Sequence, residues 1–526
     1  MPEYLSPGVY VEEIRTGPVP IEGVGTSTAG FVGQTERGPL APRLVTSWLE
    51  YQRWYGGHIS PSVSFLPFAV QGFFDNGGQR LFVARVVGDT AGTATLELAT
   101  DGEPLVLRAT GPGGWGSRVR VLVRDGSAGG FRLTVLYYGP GRLPDGDFVD
   151  PLDADQLGNP DRRDPDLLED FDNLSVDELD PAYVVTTLQG GSQLVEVVLG
   201  DDPPGVPEEA DWTPLEGGED GDAADYDTAY IGDTDAAPDD RTGLAALELI
   251  DDIALLCVPD EVFSPTGQIT EQLVLQCERL KDRFAVLQYR NNITSATELK
   301  SSRPRPTKYA AIYFPWIRVF DTRTRDTVLV PPGGHVVGIY ARTDTERGVH
   351  KAPANEDVRG IITRDLSGNR KPLATAVSKG FQDLLNPSGI NALRDFRPDG
   401  RGIRVWGART LAAEADWKYV NVRRLFIFVE ESIDEGTQWV VFEPNAEPTW
   451  AALTRSITNF LTRVWRDGAL AGVTAEEAFF VRCDRTTMTP DEIDNGRLIC
   501  YIGIAPVKPA EFVIFRISQK TIEFAS

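Results

Sequence analysis

From Asp164 to Asp240 the chain carries 24 Asp and Glu residues and no Lys, Arg or His. Charges of one sign at that density repel one another when dehydrated, so the segment belongs at a solvated surface. The cores must therefore be built mainly to either side of it. Taking those 24 negative charges from the net −27 of the 526-residue chain leaves −3, a nearly neutral body carrying one acidic segment. Broad basic faces are lacking, and no nucleic-acid partner is expected.

Both flanks of the segment share one pattern. Ala29 to Pro39 reads as a strand and turn, Ser47 is placed to cap a helix in SWLEYQRWYGG, FLPFAVQGFFDNGG is a helix stopping at Gly77, and RLFVARVV is a buried strand. Beyond the acidic stretch, LAALELIDDIALLCVPD, QITEQLVLQCERLKDR, FAVLQY and KYAAIYFPW continue the alternation. Such alternation predicts a mostly parallel sheet with helices on its faces, an α/β domain made of residues 26–88 and 241–372. The interruption, residues 89–240, opens with the period-two runs TATLELAT, PLVLRAT, SRVRVLV and FRLTVLYY, which predict a small antiparallel sheet or sandwich. Its acidic half, apart from YVVTTL and LVEVVLG, reads as an exposed and partly irregular outer layer.

Residues 373–510 predict an α+β domain. LFIFV has the composition of a strand, yet Val422, Leu425, Phe426, Val429 and Ile433 form one helical stripe, with Arg423, Arg424, Glu430, Glu431 and Asp434 off it and Gly436 placed to end the helix. A second stripe runs through Trp450, Leu453, Ile457, Phe460, Leu461 and Val464, with Arg455, Asn459, Thr462, Arg463 and Arg466 away from it. Three apolar β-type runs follow. The last, EFVIFRIS, sets Phe512, Ile514 and Arg516 on one side and Val513, Phe515 and Ile517 on the other, too apolar for a solvated edge. At the other end, residues 1–25 read as an extended arm with one short strand, VYVEEI, bounded by glycine and proline.

Chemistry finds little support. Four cysteines lie far apart without a CxxC pair, which suits buried thiols better than a disulfide frame or zinc site. Only His58, His335 and His350 are available as bases, and Ser27 in GTSTAG precedes all three, against the subtilisin order. GPGGWGS and PPGGHVVG lack the spacing of a phosphate loop, and no calcium-loop spacing occurs. Catalytic, cofactor and metal sites are therefore all expected to be absent. No run approaches 18 apolar residues and the opening MPEYLSPGVYVEE lacks a signal peptide's regions, so no direct membrane insertion is expected.

Three long motifs carry a family resemblance: Gly400 to Asn445, VPPGGHVVGIYARTDTERGVHKAPAN, and APVKPAEFVIFRISQ. Together they resemble the contractile tail sheath family, which clothes contractile phage tails and contractile injection systems. The resemblance spans roughly residues 1–85 and 245–526 and does not extend over the segment between. It implies a subtilisin-like α/β domain without the catalytic site. It also implies a structural, non-enzymatic subunit that polymerises as stacked, commonly hexameric rings around an inner tube and contracts. The expected partners are further copies of itself, the inner tube protein, and baseplate and terminator or cap proteins. Assembly would take place in the bacterial cytoplasm, in a phage tail or an injection particle that can be released. Under this reading Val9, Tyr10, Val11 and Ile14 of the arm, and Phe512, Val513, Ile514, Phe515 and Ile517 of the linking strand (residues 511–526), pair between subunits. Gly17, Pro18, Pro20, Pro506 and Pro509 are the linker candidates, and the basic stripe from Arg455 to Arg466 is a candidate tube-facing surface. Two readings from other classes stand beside it: a cytosolic α/β serine hydrolase acting through Ser27, and a non-contractile shell or adhesion protein using its acidic insert.

Overall fold

A computed structural model describes residues 20–142, 148–200, 202–222, 226–363 and 371–514. In chain order, β1 (Ala29–Gly33) and β2 (Arg43–Val45) lead through helices α1 (Trp48–Tyr55) and α2 (Leu66–Asp75) into β3 (Leu81–Arg85). Residues 89–240 contribute β4 (Thr95–Leu98), β5 (Leu105–Ala109), β6 (Val119–Asp125), β7 (Phe131–Tyr137), β8 (Leu167–Leu174), α3 (Val184–Gly191), β9 (Val195–Val198), β10 (Ala210–Pro214) and α4 (Tyr226–Ile231). Next come α5 (Gly243–Leu247), β11 (Leu255–Cys257), α6 (Gln268–Leu280), β12 (Phe284–Gln288), α7 (Ala296–Ser301) and β13 (Ala310–Phe314). The hairpin β14 (Ile317–Asp321) and β15 (Asp326–Val330), then α8 (Gly333–Arg347), α9 (Lys379–Leu385), β16 (Ile390–Asp395) and β17 (Ile403–Val405) follow. Last are α10 (Val420–Thr437), α11 (Glu447–Arg466), α12 (Ala475–Ala478), β18 (Phe479–Arg482), α13 (Pro490–Asp494) and β19 (Tyr501–Ile504).

The chain divides into two compact units, one of residues 25–348 and 352–423, the other of the described parts of residues 1–24, 349–351 and 424–526. In the larger unit an eight-stranded sheet has the order β17-β16-β13-β12-β11-β1-β3-β2. Its inner pairs are all parallel, and antiparallel β17 and β2 close the edges. The central strands β1, β11, β12 and β13 are buried at every position, as a sheet covered on both faces requires. Ser47 caps α1 by accepting from the Glu50 N–H at 3.1 Å.

The domain boundary expected at residue 373 moves. Ile390 to Leu393 are fully buried and β16 pairs in parallel with β13, so residues 373–423 complete the α/β sheet. An apolar run flanked by helices is equally compatible with either neighbouring domain; only the open edge of β13 selects between them. Residues 89–240 lie within the larger unit yet include a core of their own, where Trp115, Val121, Leu133, Val135 and Leu107 pack between sheets β4-β5-β9 and β10-β6-β7-β8. Their acidic half is more regular than the composition suggests. It supplies β8, β9 and β10, because in β8 the exposed positions alternate with half-buried ones and Asp170 and Asp172 stay wet. Most of YVVTTL, from Val184 on, opens α3. Among the described residues no helix is long and apolar enough to cross a membrane.

Candidate assembly surface

Open α/β sheets usually bind ligands in a crevice beyond the carboxyl ends of their parallel strands. Here that position is filled. Just past β11, the wholly buried Asp260 accepts from Ser64 Oγ at 2.5 Å, from the Phe65 N–H at 2.6 Å and from Tyr230 Oη at 2.7 Å. Burial pushes its carboxyl up to about 6 in spite of those bonds. Beside it, Glu261 accepts from Thr270 Oγ1 at 2.6 Å and from the Gln288 N–H at 2.9 Å, and burial raises it to about 7. Gln288 in turn donates to the Val258 carbonyl and accepts from the Gly333 N–H, both at 3.0 Å. The donors at this edge point at the protein's own carboxylates.

The candidate bases are placed apart. His58 stacks on Phe68 with ring centroids 4.2 Å apart and meets Gln71 Oε1 at 3.0 Å and Thr322 Oγ1 at 3.2 Å. His335 is buried on α8 against Gly72, where an added Cβ would lie 2.2 Å from its Nδ1, and burial lowers its imidazole to about 4. Ser27 is half-buried just before β1, and no hydrogen bond among the described residues joins it to a histidine. No group of three or more His, Cys, Asp or Glu able to hold a metal occurs among the described residues.

Helix α10 begins in the larger unit, which holds it up to Arg423, and continues in the smaller one. LFIFV is helical, as the stripe predicts, inside α10. Its polar flank is not solvated throughout: Arg423 and Arg424 are 1% and 3% exposed. Arg423 lies over the Tyr309 and Trp417 rings at 4.5 and 5.0 Å, contacts that desolvate the guanidinium favourably. Gly436 is also not the stop. The helix runs to Thr437, and the missing side chain at 436 admits Ile21, whose Cγ2 would sit 2.7 Å from a Cβ there. Ile21 is fully buried, and the Val24 N–H donates to Ser432 Oγ at 3.1 Å. Residues 20–24 are thus seated on α10, while Val9, Tyr10, Val11 and Ile14, with Gly17 and Pro18, lie outside the described residues.

Helix α11 buries all six residues of its apolar stripe. On the far side Arg455, Asn459 and Arg466 are exposed, whereas Thr462 is half-buried and bonds back to the Thr458 carbonyl at 2.7 Å. Arg463, also exposed, donates to the Ile21 carbonyl, so one member of the basic stripe serves the seat of the N-terminal segment. Arg455 lines an open groove of about 740 Å³ with Trp450, Thr458, Cys483 and Arg485.

After α11, β18 and β19 make a two-stranded antiparallel sheet. Phe480 and Tyr501, both 56% exposed, stand on its outer face, and the Phe480 ring covers Gly503, where a Cβ would lie 2.2 Å from it. No third strand joins this sheet among the described residues, and isolated two-stranded sheets are marginal in water. Beyond it Pro506 bridges to Leu470 and the Val507 N–H donates to the Ala469 carbonyl at 3.1 Å, so Pro506 is tied down and is not a hinge. Phe512, Val513 and Ile514 are 70%, 69% and 77% exposed and not in a strand; Phe515 and Ile517 lie outside the described residues. The seat of Ile21 and the face of Phe480 and Tyr501 left no period-based signal in the sequence; a glycine inside a helical stripe was the one available hint.

Comparison with known proteins places these features in a family. Residues 237–411 match the phage tail sheath protein central domain and residues 412–520 the phage tail sheath C-terminal domain. This chain belongs to the phage tail sheath family. A putative prophage major tail sheath protein of Pseudomonas aeruginosa is 25% identical over 297 residues, 55% of this chain and 72% of that one. The tail sheath protein of Burkholderia phage BcepMu is 30% identical over 171 residues, covering 31% of this chain and 34% of the relative. Among solved structures, the sheath complex of an extracellular contractile injection system in its contracted state superposes with a TM-score of 0.59 at 22% identity, covering 99% of each chain. A sheath tail protein from Listeria innocua gives 0.56 at 12% identity, covering 93% of this chain and 96% of that one. The fold is thus that of a mixed α/β, multidomain sheath protein, and the chain is a structural subunit of a tail sheath, the class that clothes contractile phage tails and contractile injection systems.

Proposed function

We propose that this sheath subunit polymerises with further copies of itself as stacked rings of six around an inner tube, and that the polymer contracts to drive the tube through a target envelope. The observation that carries the reading is the two-stranded sheet β18–β19 with its exposed aromatic face, in the same unit as the seat of the N-terminal segment and the exposed Phe512 to Ile514. Such a sheet is completed by strand addition, with Val9, Tyr10, Val11 and Ile14 of one neighbour and the strand from Phe512 to Ile517 of another supplying main-chain partners. Backbone ladders tolerate rigid-body rotation of the subunits if the linkers flex, which suits a lattice with two states. Gly17, Pro18 and Pro509 remain the linker candidates.

The larger unit serves as a subtilisin-like scaffold without a catalytic role, its ligand edge occupied by Asp260 and Glu261. The insert, roughly residues 89–240, forms the outer layer, its carboxylates keeping neighbouring particles apart. Arg455, Asn459 and Arg466 face the tube, where charge pairing sets register without a deep apolar lock. The sheath assembles in the bacterial cytoplasm on a baseplate and ends at a terminator protein. Removing residues 1–19 together with 511–526 tests the reading: negative-stain microscopy should show folded subunits and no tubular polymers. Normal tubes from the trimmed chain would overturn it. Charge reversal at Arg455 and Arg466 should abolish only the dependence of assembly on the tube.

A further inference from the structure

The sequence separates Cys483 from Cys500, but the fold places them opposite each other. The last paired position of the β18–β19 ladder is Arg482 with Tyr501, so the next residue on each strand is a cysteine. Facing residues of an antiparallel pair have Cα atoms about 4.5–5.5 Å apart, within the about 4.4–6.8 Å that a disulfide spans. The two thiols are reduced and hydrogen-bonded to each other. Behind them, Thr487 Oγ1 reaches the Asp484 carbonyl at 2.8 Å and the Ile499 carbonyl at 2.9 Å, so the turn after Cys483 is held against the residue before Cys500.

We propose that Cys483 and Cys500 are a redox site that closes to a disulfide by exchange with a low-molecular-weight disulfide, clasping the β18–β19 hairpin at the end where its connecting loop begins. Cys483 lines the groove beside α11 with Trp450, Thr458 and Thr486, which gives a small oxidant its approach. Cys483 is also the better nucleophile of the two. Burial raises both thiols, but the bond donated by Cys500 favours a thiolate on Cys483, and Cys500 itself is pushed up to about 12. The Cys483 thiolate attacks one sulfur of the oxidant, forming a mixed disulfide and expelling a thiolate. Relieved of its charged neighbour, Cys500 loses its proton and attacks the Cys483 sulfur, expelling the second thiolate. Two protein thiols are oxidised and one small disulfide is reduced to two thiols, which take up the two protons. The raised thiols make closure slow near neutrality and faster as pH rises.

The clasp adds a covalent step that strand exchange does not need. Its effect on the sheet that receives neighbouring strands rests on the assembly reading; its chemistry does not, and both are tested on the unassembled full chain. Incubation with oxidised glutathione at pH 8 should remove two of the four thiols, lighten the protein by two hydrogen atoms and yield a crosslinked peptide pair containing Cys483 and Cys500. Amide exchange in residues 479–482 and 501–504 should slow about 100-fold and recover with dithiothreitol. The Cys500→Ser variant, lacking the resolving thiol, should keep glutathione on Cys483. Stable glutathione adducts on the wild type without a crosslink, bonding through Cys257 or Cys277, or unchanged exchange in an oxidised hairpin would overturn the proposal. Because the decisive comparison is between oxidised and reduced wild type, it stands even if the variant does not fold.

Discussion

The eight-stranded sheet and the two-stranded sheet solve opposite problems. In the first, every residue of the inner strands β1, β11, β12 and β13 is buried, and the carboxyl edge is filled by Asp260, Glu261 and their donors. In the second, Phe480 and Tyr501 stand in solvent on a sheet with no third strand among the described residues. A sheet whose hydrogen-bonding groups are met internally can be a rigid body; one whose edges are open remains available to other chains. The contrast assigns the two sheets different kinds of cost: mutations in the interior of the first should act on folding, mutations on the exposed face of the second on association.

The largest effect should come from Asp260→Ala, which strands the Ser64, Phe65 and Tyr230 donors in a dry site. Urea unfolding should show a loss of about 3 kcal/mol in the larger unit; a loss below about 1 kcal/mol would mean that the filled edge is not what closes it. Gly436→Leu should follow, at about 2 kcal/mol, because its side chain must displace Ile21 from α10. Limited proteolysis should then cut near residue 20, and resistance there would show the seat to be dispensable.

A pH series sharpens the comparison further. Asp260 at about 6 and Glu261 at about 7 hold protons to higher pH folded than unfolded, so their stabilising contribution is complete below about pH 4 and is lost as pH rises through 6 to 7. His58 and His335, lowered by burial, work the other way as pH falls below about 6.5. Comparing variants cancels the histidines: between pH 5 and 8 the wild type should lose about 2 kcal/mol more stability than Glu261→Gln. Equal slopes in the two unfolding series would remove Glu261 from the account. The smallest effect on folding should be that of Phe480→Ser, under about 0.5 kcal/mol for a half-exposed side chain, while sedimentation shows weakened polymers. Intact polymers would break the comparison at its open end.

Much of the larger unit was legible. The alternation around the acidic segment predicts the parallel sheet, and Ser47 caps the helix it was expected to cap. Farther on, the stripe of α11 is buried throughout, and that of α10 is buried at Val422, Leu425 and Val429 and half-buried at Phe426 and Ile433. Other features were not legible, because they depend on what lies across space. Residues 373–423 were assigned to the wrong side of a boundary, since nothing local in Ile390 to Leu393 says which open strand it will meet. That Arg423, off the apolar stripe, is buried was not legible because the Tyr309 and Trp417 rings that cover it lie on other elements. Gly436 read as a stop because a helix interior seldom needs a glycine unless another segment crosses it closely.

By itself the sequence determined where the apolar stripes and alternations lie, which stretch must stay in water, and which family the chain resembles. The first two follow from period and charge, properties of neighbours along the chain; the resemblance rests on three long motifs. Only the tertiary structure decided that the ligand edge is plugged by Asp260 and Glu261, that Ile21 rests on Gly436, and that Cys483 faces Cys500. Each of these is a meeting of residues remote in sequence, set by strand register and helix packing, and no local pattern encodes a distance across space.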